Sequence, residues 1–244
     1  MAIFYVYLKW APPSDSASAE FGRLLLTCES RYVADEFFRK LQVARNADGV
    51  KFYTLLRRTT PQFWSYATIG SEPWFTATNI LGTTLLEEFG DKIMVQRLPS
   101  SKATEARVWP ILPTLDGPDW VNNGAYFIRS KQRPNLYWHH GGDNIHVSET
   151  QMTKFRVRAV DFGVDDEKGK VLIGSDRVVI SPIRTGTPLF IGKMLGCKSV
   201  CVSENEQEWR FDSLRGRFKI AWGLPGSAVL QWTNIDDGDD FVLC

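Results

Sequence analysis

Two clusters of side chains in this sequence could do recognition chemistry. The first is Trp138-His139-His140 followed by Asp143, Asn144 and His146, and it holds all three histidines of the chain. The second is Trp222, Gln231, Trp232, Asn234, Asp236, Asp237, Asp239 and Asp240. Each sets an indole beside amides or carboxylates. That combination suits a sugar, whose apolar ring face stacks on an aromatic plane while its hydroxyls bond to Asn and Asp groups. Asn205 and Gln207 offer two further amides. The candidate ligand-binding residues are therefore Trp138, His140, Asp143, Asn144, Asn205, Gln207, Trp222, Trp232, Asn234, Asp236 and Asp237.

Other chemistries fit these residues less directly. A metal would use His139 or His140 with His146 and Asp143. On a strand, however, adjacent side chains point to opposite faces, so His139 and His140 do not share a site. Gly141-Gly142 reads equally as an ordinary hairpin. The acidic run at 236–240 could offer oxygens to Ca²⁺, yet it lacks the spacing of a helix–loop–helix calcium loop, and a solvated turn explains it as well. The sequence contains no Gly-x-Gly-x-x-Gly, no phosphate-binding loop and no Gly-x-Ser-x-Gly. No histidine precedes His139, so Cys28 has no nearby base. No catalytic constellation, metal site or cofactor is predicted.

The elements that must position these residues form a repeat, which sets architecture before any local motif is read. One copy runs 124–130, 135–140, 144–149 and 154–157. A second runs 177–182, 188–192, 199–204 and 208–211. Val147-Ser148-Glu149 and Val202-Ser203-Glu204 are identical triplets. A weaker third copy runs 218–222, 228–232 and 240–244 and stops one strand short. Arg107–Leu112 is the expected closing strand, since closure removes open sheet edges. Trp209, in Gln207-Glu208-Trp209, is expected in the core.

This pattern resembles the β-trefoil, and within it the ricin-B-like lectin domains, over roughly residues 105–244. The residues carrying the resemblance are Gln207-Glu208-Trp209 before a final strand and the opening Tyr126-x-Ile128 strand. The resemblance implies a carbohydrate-binding protein with glycan or glycoprotein partners, of the kind fungi use in defence. It also implies a runner-up, a trefoil protease inhibitor acting through an exposed loop such as Arg184–Thr187.

Residues 1–100 read as a separate α+β domain of unassigned role, for effector duty or dimerisation, which leaves room for a homodimer. Strands are predicted at 3–9, 23–27, 50–56, 63–68 and 92–97, with Arg57–Gln62 as a polar turn between the third and fourth, a helix at 31–45 and a short one at 84–89. Ser30 is the expected N-cap, and 99–105 the linker. A net charge of +1, with no basic run longer than two residues, argues against a nucleic-acid binder. Four scattered cysteines do not make a disulfide framework. No apolar run approaches the ~18 residues of a membrane span. The N-terminal stretch lacks a signal peptide's basic region, so a cytoplasmic protein without membrane insertion is expected.

Overall fold

Alternating apolar and polar residues dominate this chain, and in the computed structural model they become strands. The structure describes residues 3–11, 23–45, 48–67, 88–98, 117–162, 169–184, 186–193, 196, 198–223 and 228–244. About 50% of the protein is strand and 10% helix. The backbone divides into two units, Met1–Asp116 and Gly117–Cys244.

The first unit carries β1 (Phe4–Trp10), β2 (Arg23–Cys28), helix α1 (Arg31–Val43), β3 (Leu55–Thr60), β4 (Phe63–Ala67) and β5 (Ile93–Arg97). They form one five-stranded sheet in the order β3-β4-β1-β2-β5, with only β1 and β4 parallel. The Ser30 hydroxyl caps α1 by accepting from the Val33 N–H at 3.4 Å. Ala34, Phe37, Phe38 and Leu41 bury one face of the helix, and Phe38 meets Trp64 edge-on at 4.9 Å.

Strand β3 starts later than alternation suggests and takes in Arg57 and Arg58, which read as a polar turn. Charge pairing is the reason. The Arg58 side chain is only 3% exposed and binds Asp35 of α1 at 2.6 Å, with Arg31 at 3.6 Å on the other carboxylate oxygen. A buried cation with its counter-ion can hold an inward strand position that polarity alone would deny it. Of the short helix expected at 84–89, the described residues Glu88 and Phe89 lie in a turn. No described helix is long and apolar enough to cross a membrane.

The second unit carries β6 (Gly124–Tyr126), β7 (Ile128–Ser130), β8 (Tyr137–Gly141), β9 (Asn144–Ser148), β10 (Phe155–Ala159), β11 (Arg177–Pro182), β12 (Phe190–Lys193), β13 (Val200–Ser203), β14 (Trp209–Arg210), a 3₁₀ turn (Phe211–Leu214), β15 (Arg215–Trp222), β16 (Ala228–Trp232) and β17 (Asp239–Leu243). Six strands close into a barrel, β7-β8-β9-β16-β15-β17 and back to β7. Trp138 plugs it at 0% exposure. Its ring is enclosed edge-on by Phe155, Phe218 and Phe241 at 6.0, 5.0 and 5.3 Å.

This architecture corrects the expected fold. The protein is mostly β with a closed six-stranded barrel and one described helix, not an α+β domain followed by a β-trefoil. The barrel takes three strands from the first copy and three from the third. Strands β11 and β14 of the second copy join β10 and β6 in a separate four-stranded sheet, while β12 and β13 lean on β9. Likeness of sequence between copies does not make their pairing equivalent, because register and turn length choose each strand's neighbour. The ring closes by pairing β17 with β7; the expected closing strand, 107–112, lies outside the described residues.

Candidate functional site

Strand β16 ends on Trp232, and the chain then turns through 233–238 into β17. Two contacts bring the second copy against this end. The Trp232 N–H donates to the Lys198 carbonyl at 2.7 Å, and Ser199 bridges Gln231. Strand β12 is fixed in turn by the Gln-x-Trp pair. Gln207 Oε1 accepts from the Lys193 N–H at 2.6 Å, and Trp209 Nε1 donates to the Ile191 carbonyl at 3.1 Å. Gly192 leaves room for that amide, since a Cβ there would lie 3.1 Å from Gln207 Oε1.

The result is a groove of about 720 Å³. Trp232 supplies its aromatic wall, backed by Trp209, which lies in the core as expected at 4% exposure; the ring centroids are 4.7 Å apart and the planes at 53°. Lys193, Arg210, Arg215 and Arg217 line it with Glu208, Asp212, Asp236 and Asp240. Charge is therefore balanced, and several charges are held in pairs. Arg217 Nε binds Asp236 Oδ1 at 2.6 Å, and the same guanidinium donates to the Asn234 carbonyl. Arg210 binds Asp212 at 2.6 Å, and Glu208 faces Arg177 at 2.9 Å.

The floor depends on a β-bulge. The pairing of β15 with β17 shifts register between Arg215 and Phe218. Gly216 takes the left-handed conformation there, φ +79°, as such a bulge requires. Its carbonyl accepts from the Gly238 N–H at 2.8 Å. The turn above is braced by Asp237, which accepts from the Thr233 hydroxyl at 2.7 Å and pairs with Lys219 at 3.3 Å. The Thr233 bond, then Lys219, holds the Asp237 carboxyl below its ordinary pKa. Lys193 is pushed the other way for a cation. Partial burial, then the nearby Arg217 charge, lowers its pKa.

The sequence-predicted residues divide sharply. Trp232 and Asp236 line the groove. Asn234 sits on its rim, its Oδ1 accepting from Trp232 Nε1 at 3.1 Å. Asp237 and Gln207 act one step back, on the turn and on β12. Asn205 is exposed in the loop before β14, its carbonyl accepting from the Ser203 hydroxyl at 3.0 Å. Trp222 is 59% exposed beside Arg133, away from the groove lining.

The first-copy cluster does not join them. Trp138 is core, and its faces are closed to a ligand. His140 and Asn144 stand on the β8–β9 hairpin, with Asp143 in its turn. The Asp143 carbonyl accepts from the Val202 N–H at 3.0 Å, and Asn144 is the register partner of Cys201. His139 pairs across the strands with His146, and burial, then the charges of His146 and His140, lowers its pKa. Among the described residues no group of three His, Cys, Asp or Glu side chains is placed to hold a metal ion.

Sequence reasoning missed Lys193, Arg210, Arg215 and Arg217. No spacing signal marks them, because all four stand on strands β12, β14 and β15 as ordinary strand cations. Only Gln207-Glu208-Trp209 hinted that β12 is clamped at this place. No model of a known protein family matches the chain, and no curated protein matches it.

Proposed function

We propose that the Gly117–Cys244 unit binds carbohydrate in the groove beside Trp232. The observation that carries this reading is the groove itself: the Trp232 indole, backed by Trp209, in one lining with the Asp236 carboxylate and the Arg217 guanidinium, which are fixed by their own pairing. Its volume of about 720 Å³ suits a ligand of one to a few sugar rings. Aromatic surface offers the stacking platform, and paired charges offer acceptors and donors that need no reorganisation when hydroxyls arrive. Such preorganisation favours a strand-borne site over one on a long loop.

A glycan array probed with the purified chain tests the reading. Bound glycans should be competed off by free sugar. Trp232→Ala should weaken them by about one to two decades, the equivalent of one lost buried partner, while Trp222→Ala leaves them unchanged. A blank array together with tight inhibition of a protease by the Arg184–Thr187 loop would replace this reading with the inhibitor one.

A further inference from the structure

Lys193 is the groove's unusual charge. Its ammonium lies 4.1 Å from the centroid of the Trp232 ring and 5.3 Å from that of Trp209. No carboxylate lies within ion-pair distance of it among the described residues, whereas its neighbours Arg210 and Arg217 are neutralised by Asp212 and Asp236. The strand that carries this side chain is fixed at this place. The Lys193 backbone N–H is held by Gln207, and β12 is held by Trp209.

Two consequences follow. The ammonium sits in a position that disfavours its charge, since partial burial and the Arg217 guanidinium both act against it. An anion beside the ammonium would offset both. The ammonium also lies over the Trp232 ring, on which a sugar would stack. A neutral sugar must displace it without return, whereas an anionic one draws it off the ring and pairs with it.

We infer that the saccharide bound beside Trp232 carries a negative charge, as carboxylate or sulfate, and that Lys193 is the residue that takes it. The inference rests on the carbohydrate reading above. Stacking on Trp232 and charge pairing to Lys193 are then one event, because the ring face opens as the ammonium moves.

The test titrates the full chain with matched saccharides by calorimetry: lactose, sialyllactose as the carboxylate, and sulfated lactose. Charged forms should bind roughly tenfold tighter or more than lactose, the worth of one charge-assisted hydrogen bond. Sodium chloride should erode that advantage. Lys193→Gln should bring charged and neutral forms level, and Lys193→Arg should keep much of the difference; unchanged thermal unfolding shows both variants folded. Preference for sialyllactose over sulfated lactose, or the reverse, assigns the anion. Equal binding of lactose and its charged forms, or a Lys193→Gln variant that keeps the preference, overturns the inference and leaves the carbohydrate reading standing. Binding of an acidic peptide such as oligoglutamate, with none of any saccharide, overturns both.

Discussion

Replacing Gly238 by alanine probes whether the bulge builds the groove. A Cβ at Gly238 would land on the Phe218 carbonyl oxygen and come within 2.8 Å of that of Gly216. Both contacts are with backbone of β15, so no side chain can swing aside. Either the 233–238 turn lifts away, or β15 shifts within the barrel. Forced overpacking costs about 1–3 kcal/mol. Losing the Gly238 N–H bond to Gly216 adds about 0.5–1.5 kcal/mol, and the stiffer unfolded chain returns about 0.4–1 kcal/mol. A net loss of about 2–3 kcal/mol is expected in urea unfolding followed by tryptophan fluorescence. Gly142→Ala is the comparison: φ there is +66° with nothing within 4 Å of the new Cβ. Backbone strain of about 1–2 kcal/mol applies to it, less the same return of about 0.4–1 kcal/mol from the stiffer unfolded chain. Because Asp236 rides on the displaced turn, Gly238→Ala should also lose saccharide binding while Gly142→Ala keeps it. A Gly238→Ala protein no less stable than Gly142→Ala, with binding intact, would refute the argument.

Three further outcomes are expected. Asp35→Ala should destabilise the first unit by about 3–5 kcal/mol, since it removes the buried carboxylate that pairs with Arg58 and Arg31; a calorimetric loss under about 1 kcal/mol would count against the buried pair. The Asp237 carboxyl should titrate below the ordinary aspartate value of about 3.9, because the Thr233 hydroxyl and Lys219 favour its ionised form. Its bracing of the turn is therefore present above that ordinary value and lost as pH falls through the depressed one. Carbon-13 shifts of the carboxyl measure this, and a Thr233→Val variant should move the midpoint back up. Finally, Cys28 is fully buried, and burial followed by the Asp35 charge raises its pKa to about 12. Its thiol should resist a disulfide reagent at pH 8 until denaturant is added, and fast labelling of Cys28 in native protein would show that unit to be open.

Much of the strand structure was legible because alternation is a local signal. The strands at 4–10 and 23–28, the helix after Ser30 and the hairpin at 137–148 all follow from period and caps read over a few residues. Strand partners were not legible. They depend on contacts such as Cys201 with Asn144, far apart in sequence, and a weak repeat suggested a threefold equivalence that the pairing does not keep. The same limit applied to the site. Trp232, Asn234 and Asp236 could be grouped as candidates because they are neighbours in the chain. Lys193 and Arg217 escaped because only the fold brings β12 and the bulge to that tryptophan. Trp138 looked like a ligand platform beside its histidines, yet as an inward position of the barrel it is enclosed by three phenyl rings. Arg58 misled in the opposite sense, its partner Asp35 lying on another element.

The nine tryptophans of the chain give nine indole N–H signals, and these locate a bound saccharide directly. Nitrogen-15 correlation spectra recorded while the best array glycan is added should move the Trp232 and Trp209 indole signals in a saturable, concentration-dependent way. The Trp64, Trp120, Trp138 and Trp222 signals should stay in place. Saturable shifts confined to Trp222, or none at any indole while the glycan binds, would contradict a carbohydrate site in the Trp232 groove.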